Sequence, residues 1–335
     1  MLAGGLGRTP FALLAQASEL PRHDERYGFE VKWDGVRAIC FVQGGRIRLQ
    51  GRKQVDCTAQ YPELRTLGEE MGAQEAVLDG EVVALDGEGR PSFQQLQYRM
   101  NLTRESDVRR RMREIPVTYM IFDLLYLDGH STMGLAYSDR RRLLEALELS
   151  GPHWRTPAYH AGDGEAMLAA SRQQGLEGVV AKRLDSAYLP GKRSTAWLKV
   201  KNQLSQEFVI GGWTPGEGNR EGTLGALLVG YYEEREGSEP ELRFAGRVGT
   251  GFSDAFLRTL QAKLEGIEQQ ACPFVNTATI PKGSRFARPE LVGEVEFTEW
   301  TRDGTLRHPS FKGLRDDKAP RDVTREYIAH SPDDA

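Results

Sequence analysis

Between residues 27 and 52 apolar and polar side chains alternate with a period of two. Phe29 and Val31 are set against Glu30 and Lys32, and the runs 38–42 and 46–50 flank Gly44-Gly45. Such alternation around a glycine pair predicts strands at 29–32, 38–42 and 46–50, the last two joined by a tight hairpin. It also places Lys32 on the polar face of its strand, just before Gly35. Downstream, the pattern predicts a helix at 61–71 and strands at 76–85, 117–127, 178–183 and 197–201. Helical spacing appears near 93–98, at 139–149 behind Ser138 as N-cap, and at 165–174 up to Gly175. Strands interleaved with helices in this way make an α+β domain over residues 1–202.

After Lys201 the texture changes to short strands between glycine-rich turns, at 207–210, 224–232, 242–248 and 293–299. One amphipathic helix interrupts them, capped by Ser253 and carrying Phe256, Leu257, Leu260, Leu264 and Ile267 on one side. A handful of strands with one helix fits a β-barrel of the OB type over residues 203–335, joined to the first domain by a hinge at 202–206. The last residues, 331–335, read as frayed.

Composition bounds the rest. With 335 residues, 39% of them hydrophobic and 27% charged, the chain has room for two globular domains. It contains no apolar run of the roughly 20 residues that a membrane-spanning helix requires, and residues 1–7 lack the charged start and apolar block of a signal peptide, so a cytoplasmic location is expected. Three cysteines, Cys40, Cys57 and Cys272, are too few for a disulfide framework and too scattered for a four-cysteine zinc site. The six histidines show no metal-ligand spacing. A net charge of -4 excludes a general coating of basic residues, so any grip on nucleic acid must be local. The clusters Arg109-Arg110-Arg111 with Arg113, Arg140-Arg141-Arg142 and Lys192-Arg193 each read better as a solvated face than as a phosphate contact, because consecutive residues on a helix point about 100° apart.

The chemistry-bearing residues fall into an ordered series. Lys32-Trp33-Asp34-Gly35 comes first, then Gly51-Arg52, Asp79-Gly80-Glu81, the run from Ile121 to Tyr126, Glu177-Gly178-Val179-Val180-Ala181-Lys182, and Trp197-Leu198-Lys199-Val200-Lys201. A lysine at its ordinary pKa near 10.4 is almost wholly protonated at pH 7, so a nucleophilic Lys32 needs neighbours that disfavour its charge. Lys182, Lys199 and Lys201, brought in by adjacent strands, could do this and also hold phosphate oxygens.

This series resembles the covalent nucleotidyltransferases: DNA ligases, RNA ligases and mRNA-capping guanylyltransferases. The resemblance implies that Lys32 attacks the α-phosphate of a nucleoside triphosphate, expels pyrophosphate and keeps the nucleotide as a phosphoramidate. It implies a divalent metal, Mg or Mn, with Glu177 at the metal and α-phosphate and Glu81 serving the ribose and metal. Phe122 corresponds to the aromatic that stacks on the base, Glu30 to a position that helps recognise adenine, and Arg37 and Arg52 to residues near the AMP and the nick phosphate.

Farther on, Arg307-His308-Pro309 and Arg315-Asp316-Asp317-Lys318 resemble the last motif of ATP-dependent DNA ligases. The resemblance places Arg315 and Lys318 at the β- and γ-phosphates, orienting pyrophosphate once a domain motion has closed the site. Ser92-Phe93-Gln94-Gln95-Leu96-Gln97, Pro190-Gly191-Lys192-Arg193-Ser194 and Phe208 to Trp213 are similar to the ligase domain of bacterial end-joining ligases. Membership there implies nicked or broken duplex DNA as substrate, ATP as co-substrate, a Ku partner, polymerase or nuclease domains nearby, a monomer and a place at the bacterial nucleoid. Only about two dozen residues precede the motif around Lys32, so the large N-terminal DNA-binding domain of eukaryotic-type ligases is not expected. An RNA ligase, a GTP-using capping enzyme and a non-catalytic nucleic-acid-binding protein of the same fold remain the competing readings.

Overall fold

The computed structural model describes residues 11–327 apart from Glu217, Arg235, Glu236 and Ser238, and the backbone alone of Asn219. The termini read above, 1–7 and 331–335, lie outside the described residues. The chain divides into two compact units, one running up to Asn202 and the other spanning Gln203–Tyr327.

The first unit is built on two sheets. One consists of β1 (Leu14–Ala17), β2 (Tyr27–Val31), β7 (Gly178–Arg183) and β8 (Arg193–Lys201), in the order β1-β8-β7-β2, with His160–Ala161 at its far edge. The other consists of β3 (Val36–Gln43), β4 (Arg46–Gly51), β5 (Ala76–Ala84) and β6 (Val117–Leu127), in the order β4-β3-β5-β6. Alternation decides which face of each is apolar. In the first sheet Tyr27, Phe29, Val179, Ala181, Leu198 and Val200 pack outward against Leu20, Met167 and Leu168, the last two on helix α5 (Gly164–Gln173). In the second, Ala38, Cys40, Val42, Leu78 and Val82 face the layer of helices α1 (Thr66–Met71), α2 (Phe93–Leu96) and α4 (Tyr137–Glu145). The inner faces meet across a third cluster in which Trp197 of β8 joins Ile39, Phe41, Val77 and Phe122 of the other sheet.

Several expected boundaries shift. Helix α4 begins at Tyr137 with Ala136, not Ser138, at the N-cap. Helix α3 (Glu105–Glu114) was not legible, because Val108 is its one buried residue. Its arginines pair with acids of their own helix, Arg109 with Glu105, Arg110 with Asp107 and Arg111 with Glu114, as a solvated face does. The Arg140-Arg141-Arg142 block departs from that reading, since Arg140 and Arg141 are buried and only Arg142 is exposed.

The second unit is a curled sheet of β9 (Leu204–Pro215), β10 (Leu224–Glu233), β11 (Glu241–Val248), β12 (Arg285–Phe297) and β13 (Ser310–Leu314), with helix α6 (Asp254–Glu265) against it. The sheet runs β11-β10-β9-β12, and β13 pairs with β12. Ser253 caps α6 by accepting a hydrogen bond from the Phe256 amide, and Leu257, Leu260 and Leu264 enter the core. Because Leu204 already pairs with Phe297, the link between the units is Asn202-Gln203 and does not extend to residue 206.

Candidate active site

Lys32 stands one residue beyond the end of β2. Its amide donates to the Gly178 carbonyl at 3.0 Å, so β2 and β7 deliver the lysine opposite Glu177. The Lys32 Nζ donates to Glu177 Oε2, and Lys201 Nζ lies 3.1 Å from Oε1 of the same carboxylate. Burial disfavours the ionised carboxylate, but the charges of Lys32 and Lys201 overcome it and hold Glu177 well below the ordinary carboxylate range. Two glycines permit the approach. Gly178 adopts φ +149°, and a Cβ there would lie 2.1 Å from the Val200 carbonyl. A Cβ on Gly35 would lie 2.3 Å from the Val82 carbonyl and 2.9 Å from Glu81 Cγ.

The polar face predicted for β2 exists, but it is turned inward. Registers Val180↔Glu30, Val180↔Lys199 and Lys182↔Trp197 place Glu30, Lys182, Trp197 and Lys199 on one face, with Lys201 at its end. Glu30 is 4% exposed and lies 2.7 Å from Lys182 Nζ, accepts from the Tyr137 hydroxyl, and sits 3.8 Å from Arg141. Burial lowers the Lys182 pKa against the pull of Glu30. It raises that of Tyr137, with Glu30 adding to the effect, so the phenol stays a donor. Lys182 therefore serves Glu30 beneath the rings of Phe122 and Trp197, whose centroids lie 4.3 and 4.1 Å from its Nζ.

The second sheet supplies the opposite wall. Register Arg37↔Glu81 sets these two side by side across β3 and β5. Arg37 forks onto Asp79 at 2.5 and 2.6 Å, and the Tyr188 hydroxyl donates to the same carboxylate at 2.6 Å. Burial opposes the Arg37 charge, yet Asp79 raises its pKa above the usual guanidinium value. The Arg37 guanidinium also lies 4.5 Å from the centroid of Phe122, which is 7% exposed and meets Trp197 edge-on at 6.4 Å. Asp123, next to Phe122, is forked by Arg140 at 2.7 and 2.9 Å, and Arg140 also donates to the Leu135 and Ser186 carbonyls. Asp79, Asp123, Tyr137, Tyr188 and Arg140 were missed as site-supporting residues; Asp79 carried a signal, being the first residue of the Asp79-Gly80-Glu81 motif.

Arg52 lies past the end of β4 and lines a hollow with Phe11, Arg37, Ile39, Gln50 and Gln54. Arg315 and Lys318 belong to the second unit. Arg315 forks onto Asp317 at 2.9 and 3.0 Å and donates to Glu294 at 3.0 Å, while Lys318 lies 3.9 Å from Glu207. Those carboxylates raise the Arg315 pKa against the effect of burial.

Among the described residues no group of three or more His, Cys, Asp or Glu side chains converges as a metal cage. Glu177, kept ionised by its lysines, is a carboxylate of the kind used in the other mode of binding, in which a hard cation takes one or two carboxylates and completes its shell with substrate phosphates and water.

Two family models match this chain: the ATP dependent DNA ligase domain over residues 13–201 and the ATP dependent DNA ligase C terminal region over residues 220–318. The multifunctional non-homologous end joining DNA repair protein LigD of Mycobacterium tuberculosis is 44% identical over 303 residues, covering 90% of this chain and 38% of its own length. LigD of Pseudomonas aeruginosa is 39% identical over 324 residues, covering 95% of this chain and 37% of its own. The chain thus spans less than two-fifths of these relatives. Among solved structures, mycobacterial DNA ligase D complexed with ATP and MES superposes with a TM-score of 0.68 at 40% identity, covering 95% of this chain and 98% of that one. The ligase domain of M. tuberculosis LigD gives 0.51 at the same identity and coverage.

Proposed function

This chain belongs to the ATP-dependent DNA ligases, and from that membership we propose that Lys32 is the nucleophile through which it seals nicks in duplex DNA. The presentation of the Lys32 amine against Glu177, with Lys201 on the same carboxylate, carries the reading. Lys32 Nζ attacks the α-phosphorus of ATP, the bond to the bridging oxygen breaks and pyrophosphate leaves. The AMP then passes to a 5′-phosphate at the nick, and the 3′-hydroxyl attacks that phosphate to release AMP.

Attack requires the unprotonated amine, so the Lys32–Glu177 contact must part as the triphosphate arrives. Lys199 and Lys201 hold phosphate oxygens, and Phe122 lines the base pocket with the Glu30 network behind it. Arg37 and Arg52 serve the AMP and the nick phosphate, and Arg315 and Lys318 the leaving pyrophosphate. A divalent metal, Mg or Mn, held by Glu177 and Glu81 would withdraw charge from the phosphates in each transfer. The relatives' names support a role in end joining. We place the protein there as a monomer in the bacterial cytoplasm, at the nucleoid, with a Ku-type partner and end-processing polymerase or nuclease domains.

The test is incubation with labelled ATP and Mg, followed by acid. Acid-resistant label on the wild type that is absent from Lys32→Ala supports the reading, and an unlabelled wild type overturns it. Sealing of nicked DNA in preference to nicked RNA, with ATP in preference to GTP, separates it from an RNA ligase or a capping enzyme.

A further inference from the structure

Strand β4 carries a feature that the reaction above does not use. Its register against β3 pairs Gln43 with Arg46, Phe41 with Arg48 and Ile39 with Gln50. Ile39 and Phe41 belong to the cluster between the sheets, so Arg46, Arg48 and Gln50 project on the face that also bears Arg37. Alternate residues on a strand are about 6.8 Å apart, comparable with the spacing of successive phosphates along a nucleic-acid strand. Beyond Gln50 the same face runs into the hollow lined by Arg37 and Arg52.

Arg48 is seated with care. Its guanidinium lies 4.1 Å from the centroid of Phe41, and Nη1 donates to Gln50 Oε1 at 3.1 Å. Phe41 and Gln50 are themselves 5% and 4% exposed. Ring and amide fix the exposed guanidinium without neutralising it, and among the described residues no carboxylate is paired with Arg48 or Arg46. Arg37, Arg140, Arg285 and Arg315, by contrast, are each forked onto an acid, Asp79, Asp123, Glu268 and Asp317 in turn. β4 is an edge strand, and charge on an edge discourages pairing with other chains. That need would be met by any solvated cation and does not call for one stacked on a ring and held by an amide. A pre-oriented, unneutralised guanidinium fork is suited to a phosphate.

We propose that β4 is a phosphate track, in which Arg46 and Arg48 grip successive phosphates of one DNA strand leading away from the nick. The proposal rests on the ligase reading and deepens it. Its test is the salt dependence of binding to a fluorescent nicked duplex by the full chain, compared with Arg46→Ala/Arg48→Ala and with Arg142→Ala, an exposed arginine of α4. The slope of log K against log salt is expected to become shallower by about 0.9 for each phosphate released, and thus by about 1.8 in the double variant. Arg142→Ala keeps the wild-type slope, and formation of lysyl-AMP from ATP is unchanged in both. A double variant that binds with wild-type affinity and slope overturns the track alone. One that loses lysyl-AMP formation places these arginines in the nucleotide site and also overturns it. A wild type that binds no nicked duplex overturns the ligase reading with it.

Discussion

Glu30 shows at the scale of one residue where sequence logic holds and where it stops. Alternation with Phe29 and Val31 put Glu30 and Lys32 on a polar face, which is correct, and a polar face is ordinarily a solvated one. Here Lys182, Tyr137 and Arg141 come from other elements to satisfy Glu30 in the interior, and no local pattern announces partners so distant along the chain. The motif around Lys32 was legible because it is short and contiguous; the bond from Lys32 to Glu177 was not, because it spans 145 residues. Phe122 permits a direct measurement. Replacing it with Leu keeps most of the buried volume and removes the ring face, and titration of ATP into the Lys32→Ala background, which cannot turn over, reads the loss. Affinity is expected to fall by about 1–3 kcal/mol, the worth of one base–aromatic stack. Unchanged affinity would assign the ring to packing around Arg37 and Lys182.

At the scale of elements, the bond between α4 and β6 matters most. Asp123 and Arg140 are both fully buried, and their fork ties the helix to the strand segment that carries Phe122. Arg140→Leu strands a carboxylate in the interior, at an expected cost of about 3–5 kcal/mol in urea unfolding, whereas Asp123→Leu/Arg140→Leu recovers a large part of that loss. Equal destabilisation in the single and double variants would show that helix packing, and not the charge pair, is responsible. Glu177 links β7 to Lys32 and Lys201 through a carboxyl whose pKa is depressed in the folded state. The stability it contributes is complete above the ordinary glutamate pKa of about 4.3 and disappears as pH falls below it. Acid unfolding followed by circular dichroism should therefore find Glu177→Gln less sensitive than wild type between about pH 4.5 and 3. Strands such as β5 and β6, long and apolar, were readable with nearly correct ends. β1 escaped notice because it is four residues long and pairs in parallel with a strand far along the chain.

At the scale of the whole molecule, the change of texture after Lys201 coincides with the change of unit at Asn202, since an antiparallel curled sheet needs turn residues that the helix-rich first unit does not, although β9 and β12 run to 12 and 13 residues where the pattern predicted short strands. What the texture does not convey is the work of the second unit's cations, because Arg315 is occupied by Asp317 and Glu294 just as a structural arginine would be. Function separates the two roles. If Arg315 and Lys318 orient pyrophosphate, they act only while ATP is being consumed, and a nick that already carries AMP has no need of them. Arg315→Ala/Lys318→Ala should then slow formation of lysyl-AMP on the order of a hundredfold, while sealing of a pre-adenylylated nick continues at the wild-type rate. Circular dichroism of the same preparation establishes that the second unit is folded. Equal losses in the two reactions would mean that the pair supports the fold of the sheet or its hold on DNA, and the pyrophosphate role would be withdrawn.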